Sequence, residues 1–109
     1  MVPFDYVAPK TLSDAVNILA QNPAESRVYV GGSDIIDQIR NGRRKVSLLI
    51  DVKNVQEMNR LDYIVGEGLH IGGAVSCTRI AHFSDVIKHY PAIVEGCNLI
   101  GSIQIQNRA

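Results

Sequence analysis

Apolar positions recur at helical spacing between Leu12 and Ala20. Leu12, Ala15, Val16, Leu19 and Ala20 fall at i, i+3, i+4, i+7 and i+8, which is one face of a helix. Thr11 stands where an N-cap is needed, with Asp14 three residues on in a capping-box position, and Asn22-Pro23 closes the stretch. Before it, Phe4 to Pro9 reads as extended. After it, Arg27 to Val30 is a short strand broken by Gly31-Gly32. Ser33 is placed to cap a second helix in which Ile35, Ile36 and Ile39 face inward, and Asn41-Gly42 ends it. The run from Val46 to Ile50 is short and apolar, as in a buried strand.

The pattern then changes. Asp51 to Asn59 is a polar connection with Val55 and Met58 as anchors. Tyr63-Ile64-Val65 and Leu69-His70-Ile71 flank Gly66-Glu67-Gly68, which predicts a hairpin with a three-residue loop. Gly72-Gly73 follows, and Thr78 and Ser84 are candidate caps of short helices. Beyond Pro91, Ile93, Val94, Cys97 and Ile100 suit one side of a helix, with Gly101 at its C′ position. Ser102 to Gln106 alternates as a strand would, and a strand there needs a partner and a continuation, so the chain reads as a truncated domain. Strands and helices alternate, so the fold class is mixed α/β (α+β).

Composition narrows the function without naming it. Eleven basic and eleven acidic side chains cancel, which argues against a general nucleic-acid binder. The two cysteines, Cys77 and Cys97, have no His or Cys at metal-ligand spacing and read as reduced, small apolar residues. His70, His82 and His89 lack a close third ligand, so no metal site is expected. Nothing joins Ser, His and Asp into a triad. Arg40, Arg43, Arg44 and Lys45 cluster past the second helix, where they suit its dipole or an acidic partner. Asp51, Glu57, Asp62 and Glu67 read as solvated. MVPFDYVAPK has no apolar signal core, and no run approaches the roughly 20 residues of a membrane span, so the chain reads as cytoplasmic.

The stretch Val30-Gly31-Gly32-Ser33-Asp34 carries the candidate chemistry. Glycine reaches positive φ and admits close approach to the backbone, and the N–H groups opening a helix lack internal partners. A diphosphate bound there would accept hydrogen bonds from those groups and from the Ser33 hydroxyl. An ordinary strand-to-helix turn with Ser33 as its cap explains the same residues. The stretch is neither G-x-G-x-x-G nor a P-loop.

The neighbours of this stretch carry a resemblance. In order, they are Phe4-Asp5-Tyr6 with Pro9 and Thr11–Ala15, then Val30–Ile35, Leu49-Ile50-Asp51-Val52, Ile71–Ile80 and Ile100–Ala109. In this order the segments resemble the flavin-binding subunit or domain of molybdenum hydroxylases, the family of xanthine dehydrogenase, carbon monoxide dehydrogenase and 4-hydroxybenzoyl-CoA reductase. The resemblance implies the N-terminal lobe of a vanillyl-alcohol oxidase-type (PCMH-type) FAD-binding fold, spanning residues 1–109. It implies that an Ala-Gly-Gly-Thr-Asp-like loop lies against the FAD diphosphate. Carried over, that loop is Val30, Gly31, Gly32, Ser33 and Asp34, with Tyr29 and Ile35 at its edges and Leu99 near the flavin. Val30 stands for the common alanine and Ser33 for the common threonine. A second flavin loop, Thr-Ile-Gly-Gly-Asn, directly follows the equivalent of Gln106-Asn107-Arg108-Ala109 in the family, so this chain is expected to end just before it.

The implied activity is oxidoreductase electron transfer. FAD would receive electrons from 2Fe-2S clusters and pass them to NAD or another acceptor. The molybdenum cofactor and the clusters would lie on partner subunits, and this chain would hold no catalytic acid or base. Two other readings stand beside it: an interaction module that does not hold FAD stably by itself, and an unrelated small nucleotide-binding α/β domain.

Overall fold

The computed structural model describes residues 2–109. Three strands, β1 (Asp5–Val7), β2 (Ser26–Tyr29) and β3 (Leu48–Asp51), form a parallel sheet with β3 in the centre. Tyr6 pairs with Leu49, and Arg27 pairs with Leu49 from the other side. Side chains alternate across a strand, so neighbouring residues of β3 serve opposite faces. Ile50 joins Ala15, Val52 and Val55 beneath helix α1 (Leu12–Gln21). Leu49 joins Ile39 and Val46 beneath helix α2 (Ile35–Arg40). The central strand is therefore buried on both faces, as its apolar run requires.

α1 begins as its sequence predicts, with the Thr11 side chain accepting from the Asp14 N–H at 3.1 Å. Val55 is fully buried, and Met58 packs against the same cluster from a 3-10 turn over Gln56–Asn59.

The second half has its own core. Strands β4 (Leu61–Ile64) and β5 (Gly68–Ile71) form an antiparallel hairpin. Its loop has the expected three residues but sits one position earlier, at Val65-Gly66-Glu67, because Gly68 at φ +106° still pairs with Ile64. Helices α3 (Cys77–His82), α4 (Ser84–His89) and α5 (Pro91–Leu99) pack around Val75, Ile80, Val86 and Cys97, with Leu61 and Leu69 of the hairpin against them. Gly101 follows α5 at φ +41°, as a C′ glycine should.

Several local expectations are corrected. Ser102–Gln106 is not a strand. Ile103–Gln106 is one helical turn, α6, capped by the Ser102 side chain, which accepts from the Ile105 N–H. Five alternating residues cannot distinguish a strand from a single turn, and among the described residues this segment belongs to neither sheet. The cap of α3 is Ser76, not Thr78, and Ser84 lies inside α4 rather than capping it. Thr78 instead donates to Asn107 Oδ1 at 2.6 Å.

Candidate functional site

The glycine stretch lies where β2 leaves the sheet. Gly32 adopts φ +76°, so this position requires glycine on backbone grounds. A Cβ at Gly32 would also meet the Tyr29 ring at 2.7 Å. Gly31 is different. A Cβ there would lie 2.0 Å from the Arg108 carbonyl oxygen, so this glycine admits the chain's own backbone. The last residues brace the loop against the helical half: Arg108 Nε donates to the Gly31 carbonyl at 3.4 Å, and the Cys77 N–H donates to the Ala109 carbonyl at 2.7 Å. Gln106 Nε2 donates to the carbonyls of Asn98 and Ile100, tying the same segment to the end of α5.

Among the described residues, the N–H groups of Gly31, Gly32, Ser33 and Asp34 have no acceptor in the protein. Successive amides around a left-handed residue form a concavity suited to an anion. Ser33 does not cap α2, however. The helix starts at Ile35, Asp34 occupies the N-cap position, and no side chain completes the cap. At six residues α2 contributes little dipole, so any anion affinity rests on the loop amides. The Asp34 carboxylate, an unfavourable charge beside an anion, is drawn back onto the helix by Gln38 Nε2 at 2.5 Å.

Beneath the loop lies a charged cluster that the sequence pattern concealed. Asp51 is 3% exposed, which corrects the reading of it as solvated. Its Oδ2 accepts from Lys53 Nζ at 2.6 Å and from the Tyr6 hydroxyl, and its Oδ1 accepts from the Lys53 N–H at 2.9 Å. Burial disfavours the carboxylate, but the hydrogen bonds from Lys53 and Tyr6 outweigh it and hold its pKa below the ordinary value. The same hydrogen bond to Asp51 raises the Tyr6 pKa. Lys53 Nζ also lies 4.3 Å from the centre of the Tyr29 ring and donates to the Val30 carbonyl at 3.2 Å. The only sequence signal for this cluster was an acidic residue closing an apolar strand, with a lysine two positions on.

The residues carried over by resemblance therefore divide. Gly31, Gly32, Ser33 and Asp34 form the loop itself. Tyr29, Val30 and Ile35 are partly buried, and their side chains pack into the two cores flanking the sheet. Leu99 ends α5 and is 84% exposed.

Elsewhere, both cysteines are free thiols, and burial beside Cys77 pushes the Cys97 thiol up. No group of metal-ligating side chains occurs among the described residues. No helix among them is long and apolar enough to cross a membrane. The basic cluster is largely engaged locally: Arg40 lies 3.7 Å from Asp37, Lys45 lies 3.2 Å from Glu25, and Arg44 donates to Gln38.

A parallel sheet with a helix on each face, opening into a loop whose amides are unpaired among the described residues, defines an α/β domain. The chain belongs to the family of FAD binding domains in molybdopterin dehydrogenases, whose family model matches residues 2–109. It is 32% identical over 110 residues to the nicotinate dehydrogenase FAD-subunit of Eubacterium barkeri, covering 98% of this chain and 36% of that protein. It is 30% identical over 104 residues to the xanthine dehydrogenase FAD-binding subunit of Escherichia coli O157:H7, covering 95% of this chain and 35% of that protein. The fold matches that of quinoline 2-oxidoreductase from Pseudomonas putida 86 at a TM-score of 0.92 and 25% identity, over 99% of this chain and 37% of the other. The expected family and flavin-domain fold are thus the observed ones. The chain spans little more than a third of the length of these relatives.

Proposed function

We propose that this chain supplies the first diphosphate loop of an FAD site, as the N-terminal portion of the flavin domain in a molybdenum hydroxylase. The observation that carries this reading is the run of four amides, Gly31 to Asp34, without an acceptor among the described residues. The loop fits the cofactor's diphosphate: Gly32 gives the required curvature, the amides and the Ser33 hydroxyl supply donors, and Asp34 is tied back to Gln38. FAD, when bound, supplies the redox chemistry. The chain's own residues bind and orient it.

In the same reading, electrons arrive from 2Fe-2S clusters on one partner subunit, which are fed by a molybdenum-cofactor subunit. They leave to NAD or another acceptor. The setting is the cytoplasm, in keeping with two free thiols.

The test is flavin analysis of the native complex that contains this chain, together with FAD titration of the isolated chain by fluorescence and calorimetry. One FAD per copy in the complex is the expected result, with weaker binding by the isolated chain. A complex free of flavin would overturn the proposal. A second reading, that the isolated chain is an interaction module, is favoured by Leu99 and Ile103, which are 84% and 72% exposed at the end of α5 and in α6. It predicts partner binding by a folded chain that shows no FAD affinity.

A further inference from the structure

We infer that Lys53 is a positioning residue for the glycine loop: its ammonium holds the Val30 carbonyl just past the end of the β2–β3 ladder and so sets the direction of the Gly31 N–H. The inference rests on the FAD reading only for its functional consequence.

The ladder runs in register up to Tyr29 opposite Asp51. One step further, the Val52 N–H donates to the Tyr29 carbonyl at 3.1 Å. The next carbonyl along the chain, that of Val30 just past β2, accepts from the Lys53 side chain at 3.2 Å. The ammonium is held from two other sides. Asp51 binds it at 2.6 Å from a buried position, and the Tyr29 ring faces it at 4.3 Å. A lysine alone has many rotamers, but these partners restrict this one to a single place.

The consequence follows from the peptide group. No peptide bond among the described residues is cis. In a planar trans peptide the C=O and the following N–H point in opposite directions. Anchoring the Val30 carbonyl on Lys53 therefore turns the Gly31 N–H away from the Lys53 ammonium. The next peptide is braced in the same way, because Arg108 Nε donates to the Gly31 carbonyl and so turns the Gly32 N–H away from Arg108. Two cations from distant parts of the chain thus occupy two consecutive carbonyls, and the matching amides remain available. Glycine has the widest backbone freedom of any residue, so a glycine pair without such anchors would spread these amides over many directions. Preorganisation of this kind reduces the ordering cost of binding.

The experiment compares the isolated chain with Lys53→Met and Lys53→Arg by ¹⁵N NMR, amide hydrogen exchange and thermal melting, followed by titration with FAD and with riboflavin, which lacks the diphosphate. Lys53→Met is expected to shift and broaden the Gly31 and Gly32 amide signals and to speed their exchange. The melting temperature should also fall, because Lys53→Met leaves the buried Asp51 carboxylate without its ammonium, so the amides are compared at a temperature where both chains are folded. Lys53→Arg should restore most of the signal. FAD affinity is expected to fall about tenfold in Lys53→Met, the scale of one charge-assisted hydrogen bond, and riboflavin affinity should not change. If Lys53→Met does not fold, Lys53→Gln carries the same comparison. Wild-type amide signals and exchange at Gly31 and Gly32 in the neutral variant would overturn the inference, whether or not the chain binds FAD. Disturbed amides in a chain whose native complex holds no flavin would leave Lys53 as the loop's anchor and remove only the FAD reading.

Discussion

The chain carries two glycine pairs, each just past a strand, and the fold uses them differently. Gly72-Gly73 is a packing device. A Cβ at Gly72 would lie 2.4 Å from the Met58 carbonyl oxygen, and one at Gly73 would lie 2.9 Å from Met58 Cε. The Gly72 N–H donates to Arg60 at 2.6 Å and the Ala74 N–H donates to Met58 at 2.7 Å, so the close approach there is made by the chain itself. Gly31-Gly32 combines a close approach by Arg108 with a left-handed Gly32, and its amides stay unpaired among the described residues. A glycine pair therefore signals that something comes near the backbone. Whether that something is protein or ligand depends on whether the amides are already used.

Substitutions can separate the two cases. The largest effect is expected from Gly72→Val, which forces a branched side chain into the Met58 backbone. A loss of about 3 kcal/mol or more in urea unfolding should follow. Retained stability would mean that the 3-10 turn moves aside freely. Gly32→Val comes next. It places a β-branched residue at positive φ and against Tyr29, with an expected cost of about 1–3 kcal/mol and a steep fall in FAD affinity. An unchanged affinity with an intact fold would remove the loop from the site.

Asp51→Asn probes the support beneath the loop rather than the loop itself. Hydrogen bonds to a charged group are lost while Lys53 stays partly hydrated, so about 1.5–3 kcal/mol is expected. The pH dependence has a definite sign. The folded pKa of Asp51 lies below its unfolded value of about 3.9, so its contribution is complete above that pH and is lost as pH falls through the folded pKa. Acid unfolding curves of wild type and Asp51→Asn should converge at low pH. Curves that stay parallel would show that Asp51 carries no such linkage.

Gly31→Ala has a smaller expected effect, about 1 kcal/mol, because the Arg108 carbonyl it strikes belongs to an exposed segment free to shift. Its signature is release of residues 107–109 from the loop, visible as lost protection of the Cys77 amide. Ser33→Ala should be smallest. Ser33 caps nothing, so stability should stay within about 0.5 kcal/mol, and any change in FAD affinity reports its hydroxyl alone.

Much of this fold was legible along the chain. The α1 face, its Thr11 cap, the buried β3 run, the three-residue hairpin loop and the Gly101 terminus each depend on residues a few positions apart, and local chemistry decides them. The glycine loop was legible for the same reason. Asp51 was not, because its burial comes from Tyr6 and Lys53 converging on the end of β3, and Tyr6 lies 45 positions away. Nor was α6, since Ile103 and Ile105 alternate without a strand beside them.

By itself the sequence determined most of the elements and the residues of the loop, since periodicity, capping and glycine conformation act within one turn or one strand. Only the tertiary structure decided which glycine admits protein, which loop carbonyls are held by Lys53 and Arg108, and which amides remain unpaired. Those are contacts between segments far apart in the chain, such as Arg108 and Gly31 at a separation of 77 residues, and they exist only once the chain has closed on itself.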